Sequence, residues 1–280
     1  MFNKTYTKDN YLINFTVWIN NFATLRKSYK EQVKYILVDT NFISKEYDLT
    51  SNLNEVQNIY NEICIKANAD EIYFKTADLD KYNDNSSNLI TQIKLILKAS
   101  KNKKIKVVFP NINSIDKLLK MIEILKKAHD LVIAEDNYKD VKYPKIGVII
   151  SNFYGTLMCP KISNYVDAIF LNTDLFYYVY FDWTPAIVDC LKFTTIASQY
   201  NKQSQKELFV YGKLLNSSRY LPILIGAGFS NIILPVSKIE SYAKITEGFN
   251  LSECINFVNN IRQSCETWEN VETKIDLFYE

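Results

Sequence analysis

IGVIISNFYGTLMCPKISNYVDAIFLNTDLFYY, residues 146–178, sets how the rest of the chain is read. Ile146–Ile150 is an apolar run of strand length, a short helical passage follows, and Ala168–Leu171 is a second run that opens into the polar corner Asn172-Thr173-Asp174. Apolar runs this short, separated by helix, predict fully buried strands of a parallel α/β protein. Ligands of such proteins sit beyond the carboxyl ends of the strands, so Ser151 and the Asn172–Asp174 corner are where function is to be sought.

The same alternation recurs on either side. Tyr11–Val17, Tyr35–Val38, Glu71–Phe74 and Ile105–Phe109 are strand-like runs before this stretch, and Leu208–Tyr211 and Ile232–Leu234 follow it. Between them, Leu53–Ala67, Leu89–Ala99, Pro185–Tyr200 and Leu251–Ser264 read as helices; Ser114–Lys127 opens on the N-cap Ser114, and Leu221–Ala227 is closed by Gly228. Eight apolar strands alternating with helices, with no break in composition, predict a single α/β domain over residues 1–280. The architecture expected is a (β/α)8 TIM barrel with a polar C-terminal tail over 265–280; an open doubly wound sheet is the alternative.

Composition narrows the functions. The 48% apolar content supports a large core, and 33 basic against 31 acidic residues, net +2, spread along the chain leave no electrostatic footprint for nucleic acid. Arginine is confined to Arg26, Arg219 and Arg262, which restricts bidentate grip on phosphate or carboxylate. Cys64, Cys159, Cys190, Cys254 and Cys265 form no C-x-x-C pair and read as reduced core thiols of a cytoplasmic protein. Neither a signal-peptide pattern nor an 18-residue apolar run is present, so no membrane association is expected.

Seven segments in order resemble the C-terminal phosphoenolpyruvate (PEP)-binding barrel of the PEP-utilising enzymes, such as enzyme I of the sugar phosphotransferase system and pyruvate phosphate dikinase. They are YILVDTNFI (35–43), EIYFKTADLD (71–80), ILKASKNKKIKVVFPNINSIDKLLKMIEI (96–124), KIGVIISNFYG (145–155), VDAIFLNTDLFYY (166–178), ELFVYGKLLN (207–216) and LIGAGFSNIILPVSKIESYAKI (224–245). The resemblance implies where a site would lie and how far this chain departs from it. The family's substrate arginine after the second barrel strand falls on Asp39; the one after the third falls on Lys75, with Asp78 nearby; an arginine pair has no counterpart around Asn83–Asn88. The first Mg²⁺ carboxylate falls on Ser151. The second falls on Leu175, or on Asp174 if one residue is deleted. The cysteine acid corresponds to Tyr211, and the glutamate two residues on to Lys213.

Lys75, Asn111, Asn172 and Lys213 are therefore the ligand-binding candidates, Asp174 and Ser151 the metal positions, and Tyr211 the position of the family acid. Each also has a structural reading. Asp174 is a turn and capping residue or a metal contact; Tyr211 is a mouth aromatic or a general acid; Lys75 and Lys213 form a cationic pocket or pair with Asp39 and Asp78. His129, the lone histidine, reads as a surface residue near a helix end. The aromatic run Phe176–Phe181 with Trp183 reads as a lid or a protein interface.

Mg²⁺ demands hard oxygen ligands, and each missing charged contact removes about 2–4 kcal/mol of transition-state stabilisation. The expectation is a degenerate barrel, catalytically silent and without a cofactor, serving as a binding or regulatory module for a small anionic PEP- or pyruvate-like ligand or a protein partner, and dimerising with itself. The competing expectation is an enzyme using Mg²⁺: a PEP phosphotransferase component acting with a separate phosphohistidine domain, or a keto-acid lyase.

Overall fold

A computed structural model describes residues 4–47, 49, 51–78, 86–174, 195, 199, 206–265 and 267–280. Cys190, Leu175, the aromatic run 176–181 with Trp183, most of the 185–200 helix and Asn83–Asn85 lie outside the described residues.

Eight strands follow one another around a closed parallel barrel: β2 Leu12–Ile19, β3 Val33–Asp39, β4 Ala69–Lys75, β5 Ile105–Phe109, β6 Lys145–Ile150, β7 Ala168–Asn172, β8 Glu207–Tyr211 and β9 Asn231–Leu234. Each pairs with the next, and β9 returns to β2 in the register Asn14↔Asn231 to Val17↔Leu234. Strand β1, Thr5–Tyr6, adds an antiparallel edge to β2. The TIM-barrel reading therefore holds and the open sheet does not. Closure leaves the eight barrel strands no free edge.

Both faces of the strands are buried, which is why they read as continuous apolar runs. The outward set (Ile36, Val38, Ile72, Phe74, Val107, Phe109, Val148, Ile150) meets the helices. The inward set fills the barrel: Leu37, Tyr73, Val108, Ile149, Phe170, Phe209, Tyr211 and Ile233, with Trp18 against them. Phe170 and Phe209 stack at 4.5 Å, and Tyr73 meets each edge-on at 5.2 Å. Gly147 makes room for this layer, since a Cβ there would lie 3.0 Å from the Phe170 ring.

At the amino end of the barrel the inward positions turn polar. Lys106, 3% exposed, sits 2.6 Å from the Glu71 carboxylate, donates to the Tyr73 hydroxyl at 2.7 Å, and contacts Glu207. Tyr35 and Tyr73 donate their hydroxyls to Glu207 at 2.7 and 2.6 Å. Burial pushes the Glu207 carboxyl up, but hydrogen bonds from Lys106, Tyr73 and Tyr35 outweigh it and hold the carboxyl below its usual range. Burial, reinforced by Glu207, drives both tyrosines upward, so they remain donors.

Helices α1 Phe22–Ser28, α2 Asn41–Glu46, α3 Leu53–Lys66, α4 Ser86–Ala99, α5 Ile115–Ile133, α6 Phe153–Ile162, α7 Leu221–Gly226, α8 Val236–Thr246 and α9 Leu251–Ser264 flank the barrel. Ser114 caps α5 as its sequence indicates, accepting from the Lys117 N–H at 3.2 Å. The segment read as a polar tail instead contains α10, Trp268–Tyr279, which buries Val271 and Ile275 against Ile223, Val258 and Ile261. Arg219 fastens it through Glu272 at 2.7 Å and Asp276 at 2.6 Å. Cys64, Cys159, Cys254 and Cys265 are free and buried; burial pushes the thiols of Cys64, Cys159 and Cys254 up to about 12.

Candidate functional site

Side chains alternate along a strand, so the parity that sends Leu37, Tyr73, Ile149, Phe170 and Phe209 inward does the same two residues later for Asp39, Lys75, Ser151, Asn172 and Tyr211. These residues gather at the carboxyl mouth. Asp39 and Lys75 are neighbours in the β3–β4 register, and the Lys75 ammonium reaches the Asp39 carboxylate at 2.6 Å with both side chains largely buried. Of the two readings of Lys75, the structure shows the paired one.

The chain around that pair is fixed from behind. The Thr40 hydroxyl donates to the Lys75 carbonyl at 2.7 Å, and the fully buried Gln92 of α4 donates to Thr40 at 3.0 Å while accepting from the Ala77 N–H at 2.9 Å. Gln92 thus ties the ends of β3 and β4 together. Its signal in the sequence was a lone amide on the apolar face of α4.

Asp78 is buried and is held by the Asn111 side-chain amide and by Lys117 at 3.4 Å, rather than by Lys213. Asn111 adopts a left-handed backbone with φ +53°, a conformation that asparagine tolerates better than most residues.

On the far side, the corner after β7 folds onto the end of β8. The Asn172 side-chain oxygen accepts the Asp174 N–H at 2.9 Å, and the Asp174 carboxylate accepts the Lys213 N–H at 2.5 Å. Thr173 sends both its N–H and its hydroxyl to the Tyr211 carbonyl, at 2.8 and 2.9 Å. Gly212, at φ +116°, lets these strands approach: a Cβ there would lie 2.5 Å from the Thr173 hydroxyl and 2.7 Å from Asp174. Asp174 is a cross-loop acceptor in this geometry, and Lys213 enters through its backbone.

Tyr211, 7% exposed, packs edge-on to Trp18 at 5.9 Å. Burial first, then the Asp39 and Asp174 carboxylates, push its hydroxyl well above the usual phenol range. That phenol keeps its proton and is a poor general acid. Ser151, 2% exposed, has a buried hydroxyl with no hydrogen-bond partner, the one unsatisfied polar group among the candidate positions. His129 stands outside the barrel near the end of α5, its Nε2 2.9 Å from the Val141 carbonyl, which fixes that nitrogen as the donor. Among the described residues, no group of three or more His, Cys, Asp or Glu could hold a metal ion, and no helix is long and apolar enough to cross a membrane.

This mouth is the end of the barrel on which the sequence resemblance placed a substrate, and a family comparison bears on it directly. Residues 78–181 match the PEP-utilising enzyme, PEP-binding domain. The span runs from Asp78, behind the Lys75 loop, through Asn111, Ser151, Asn172 and Asp174, so the resemblance carried by the motifs is shown over these residues. No curated protein matches the sequence.

Solved structures share the fold at low identity. The Haloferax volcanii malate synthase magnesium/glyoxylate complex superposes with a TM-score of 0.62 at 10% identity, over 82% of this chain and 74% of that one. A citrate lyase from Burkholderia xenovorans gives 0.61 at 9% identity, over 89% and 82%. An HpcH/HpaI aldolase from Desulfitobacterium hafniense gives 0.51 at 10% identity, over 82% and 90%. At these identities the likeness is one of fold.

Proposed function

We propose that the chain is a PEP-binding-type barrel that works by binding rather than turnover, as a module for a small anionic keto acid or for a protein partner, a second copy of the chain included. The observation that carries the loss of turnover is the Asp39–Lys75 pair at 2.6 Å. The resemblance puts arginines at both positions to grip an anion; here one has become a carboxylate that repels the anion and occupies the remaining cation. Phosphoryl transfer depends on positioned positive charge, and this mouth has turned that charge inward.

The donor set also argues against a resident Mg²⁺. Among the described residues the corner offers the neutral Ser151 hydroxyl and a single carboxylate, Asp174, one of whose oxygens already accepts the Lys213 N–H. Mg²⁺ keeps near-octahedral oxygen coordination and gives up water reluctantly, so one half-engaged carboxylate holds it poorly. Residues of this kind bind and orient an anion weakly and supply no group to move a phosphoryl.

The test is calorimetric titration of the purified chain with PEP and with pyruvate, with and without millimolar Mg²⁺, alongside a pyruvate–PEP phosphate-exchange assay. The reading expects affinity unaffected by Mg²⁺ and no exchange. Metal-dependent, tight PEP binding or measurable exchange would return the chain to the enzymes, as a phosphotransferase component or a keto-acid lyase.

A further inference from the structure

Two lysine-bearing segments far apart in sequence, Ser100–Lys106 and Lys139–Lys145, meet at the amino end of the barrel because β5 and β6 pair there, with Lys106 opposite Lys145. Between them lies a cleft of about 550 Å³. Six lysines and two acids, Glu71 and Asp140, line it, an excess larger than the net +2 of the whole chain. Lys106 is neutralised by Glu71 and Glu207, and Lys103 donates to the Ala67 carbonyl at 3.0 Å. Lys101, Lys104, Lys142 and Lys145 are exposed and have no ion-pair partner among the described residues. A second depression shares Lys103, Lys104 and Glu71 with this one and adds Lys34 and Asp70, one charge of each sign, so the excess of lysine is confined to the cleft.

From this arrangement we infer a second binding site, at the opposite mouth from the family's, for a small organic polyphosphate carrying two or more phosphate groups. Like charges brought together around a concavity repel one another and focus a positive potential into it, which an anion relieves. An exposed lysine adds roughly two- to five-fold in affinity per contact, so one phosphate on one lysine gains little and a ligand bridging several is needed. Lysine acts as a point charge without fork geometry, which favours a flexible phosphate chain over a planar carboxylate. A cleft of about 550 Å³ is in the size range of small-molecule sites, and Tyr138, Val141 and Tyr143 on its wall provide an apolar flank for the organic part. This inference is independent of the reading of the carboxyl mouth.

The experiment titrates the purified chain with inorganic pyrophosphate, with adenosine triphosphate and with a twenty-nucleotide single strand at about 0.15 M salt, following binding by calorimetry. Binding of both polyphosphates is expected, weakened at least ten-fold in Lys104→Glu/Lys142→Glu and unaltered in Lys75→Ala. Both lysines are exposed, so the charge reversals should leave the melting temperature in place; if the double variant does not fold, the single Lys142→Gln gives the same readout at two- to five-fold. Absence of binding, or affinity indifferent to these lysines, overturns the proposal. Loss of binding in Lys75→Ala would move the anion to the other mouth, and tighter binding of the strand than of either polyphosphate would give the surface to nucleic acid; either also overturns it.

Discussion

At the carboxyl mouth Asp39 takes up Lys75 and Asp174 takes up the Lys213 N–H, whereas at the amino mouth Lys106 is sunk between Glu71 and Glu207 while four neighbouring lysines face solvent unpaired. Among the described residues each end of the barrel therefore contains satisfied charge, and the amino end carries four exposed lysines besides. The difference teaches that a place at the ligand-binding end of a fold does not by itself set how strongly a site binds; what matters is which charges the protein has not already answered internally.

The sharpest way to break the comparison is to remove the cation at the amino end. Lys106→Met leaves Glu71 and Glu207 facing each other without it, and Tyr35 and Tyr73 hydrogen-bonded to an uncompensated carboxylate. Chemical denaturation should register a loss of about 3 kcal/mol, toward the low side for a broken buried pair, because the two glutamates retain 22% and 31% exposure. Adding Glu207→Gln should recover part of the loss. A cost below about 1 kcal/mol would mean that the network is not a structural plug.

The same network sets an acid limit. The Glu207 carboxyl is held below its usual range in the folded chain, so its contribution is complete above the unfolded value of about 4.3 and is lost as pH falls through the lower folded value. Glu207→Gln should flatten the dependence of unfolding free energy on pH below about 5 while lowering stability at neutral pH.

Next in size is Gly212→Ala. Its φ of +116° lies where side chains are strained, and the added methyl would press on Thr173 and Asp174. We expect a loss of about 2 kcal/mol in thermal or chemical unfolding. A neutral result would mean that the β7–β8 corner is loose, and with it the claim that Asp174 is committed to Lys213.

Much of this frame was legible in the sequence, and the shortfalls have common causes. Ile105–Phe109 and Leu251–Ser264 match from end to end because the first is buried on both faces and the second carries one clean apolar stripe. Strands β3, β4 and β8 extend beyond their apolar runs to take in Asp39, Lys75 and Glu207, charged residues that hydropathy assigns to loops but that a barrel turns inward at its mouths. The Asp39–Lys75 pairing was readable from their family positions. The plug was not, since Lys106 finds Glu207 101 residues away. Helix α10 went unread because Val271, Ile275 and Phe278, which mark its buried face, are outnumbered by the charged and polar residues between them. The lysine runs 101–106 and 139–145 come together only through the β5–β6 pairing.

The smallest expected effect is also the most direct test of the carboxyl mouth. Asp39→Asn keeps the shape and a hydrogen-bond acceptor for Lys75 while removing the charge that holds it. Stability should fall by about 1 kcal/mol, since both side chains keep some solvent, 14% for Asp39 and 18% for Lys75. Affinity for PEP should move the other way. Losing a repelling carboxylate and releasing an ammonium are two changes of the same sign, and about ten-fold, or 1.4 kcal/mol, is the scale for one added charge contact. Calorimetry at fixed ionic strength reads both sides of the exchange. If wild type and Asp39→Asn bind PEP equally, the internal pair is not what weakens this mouth's hold on anions, and the two ends of the barrel differ for some reason other than charge already answered.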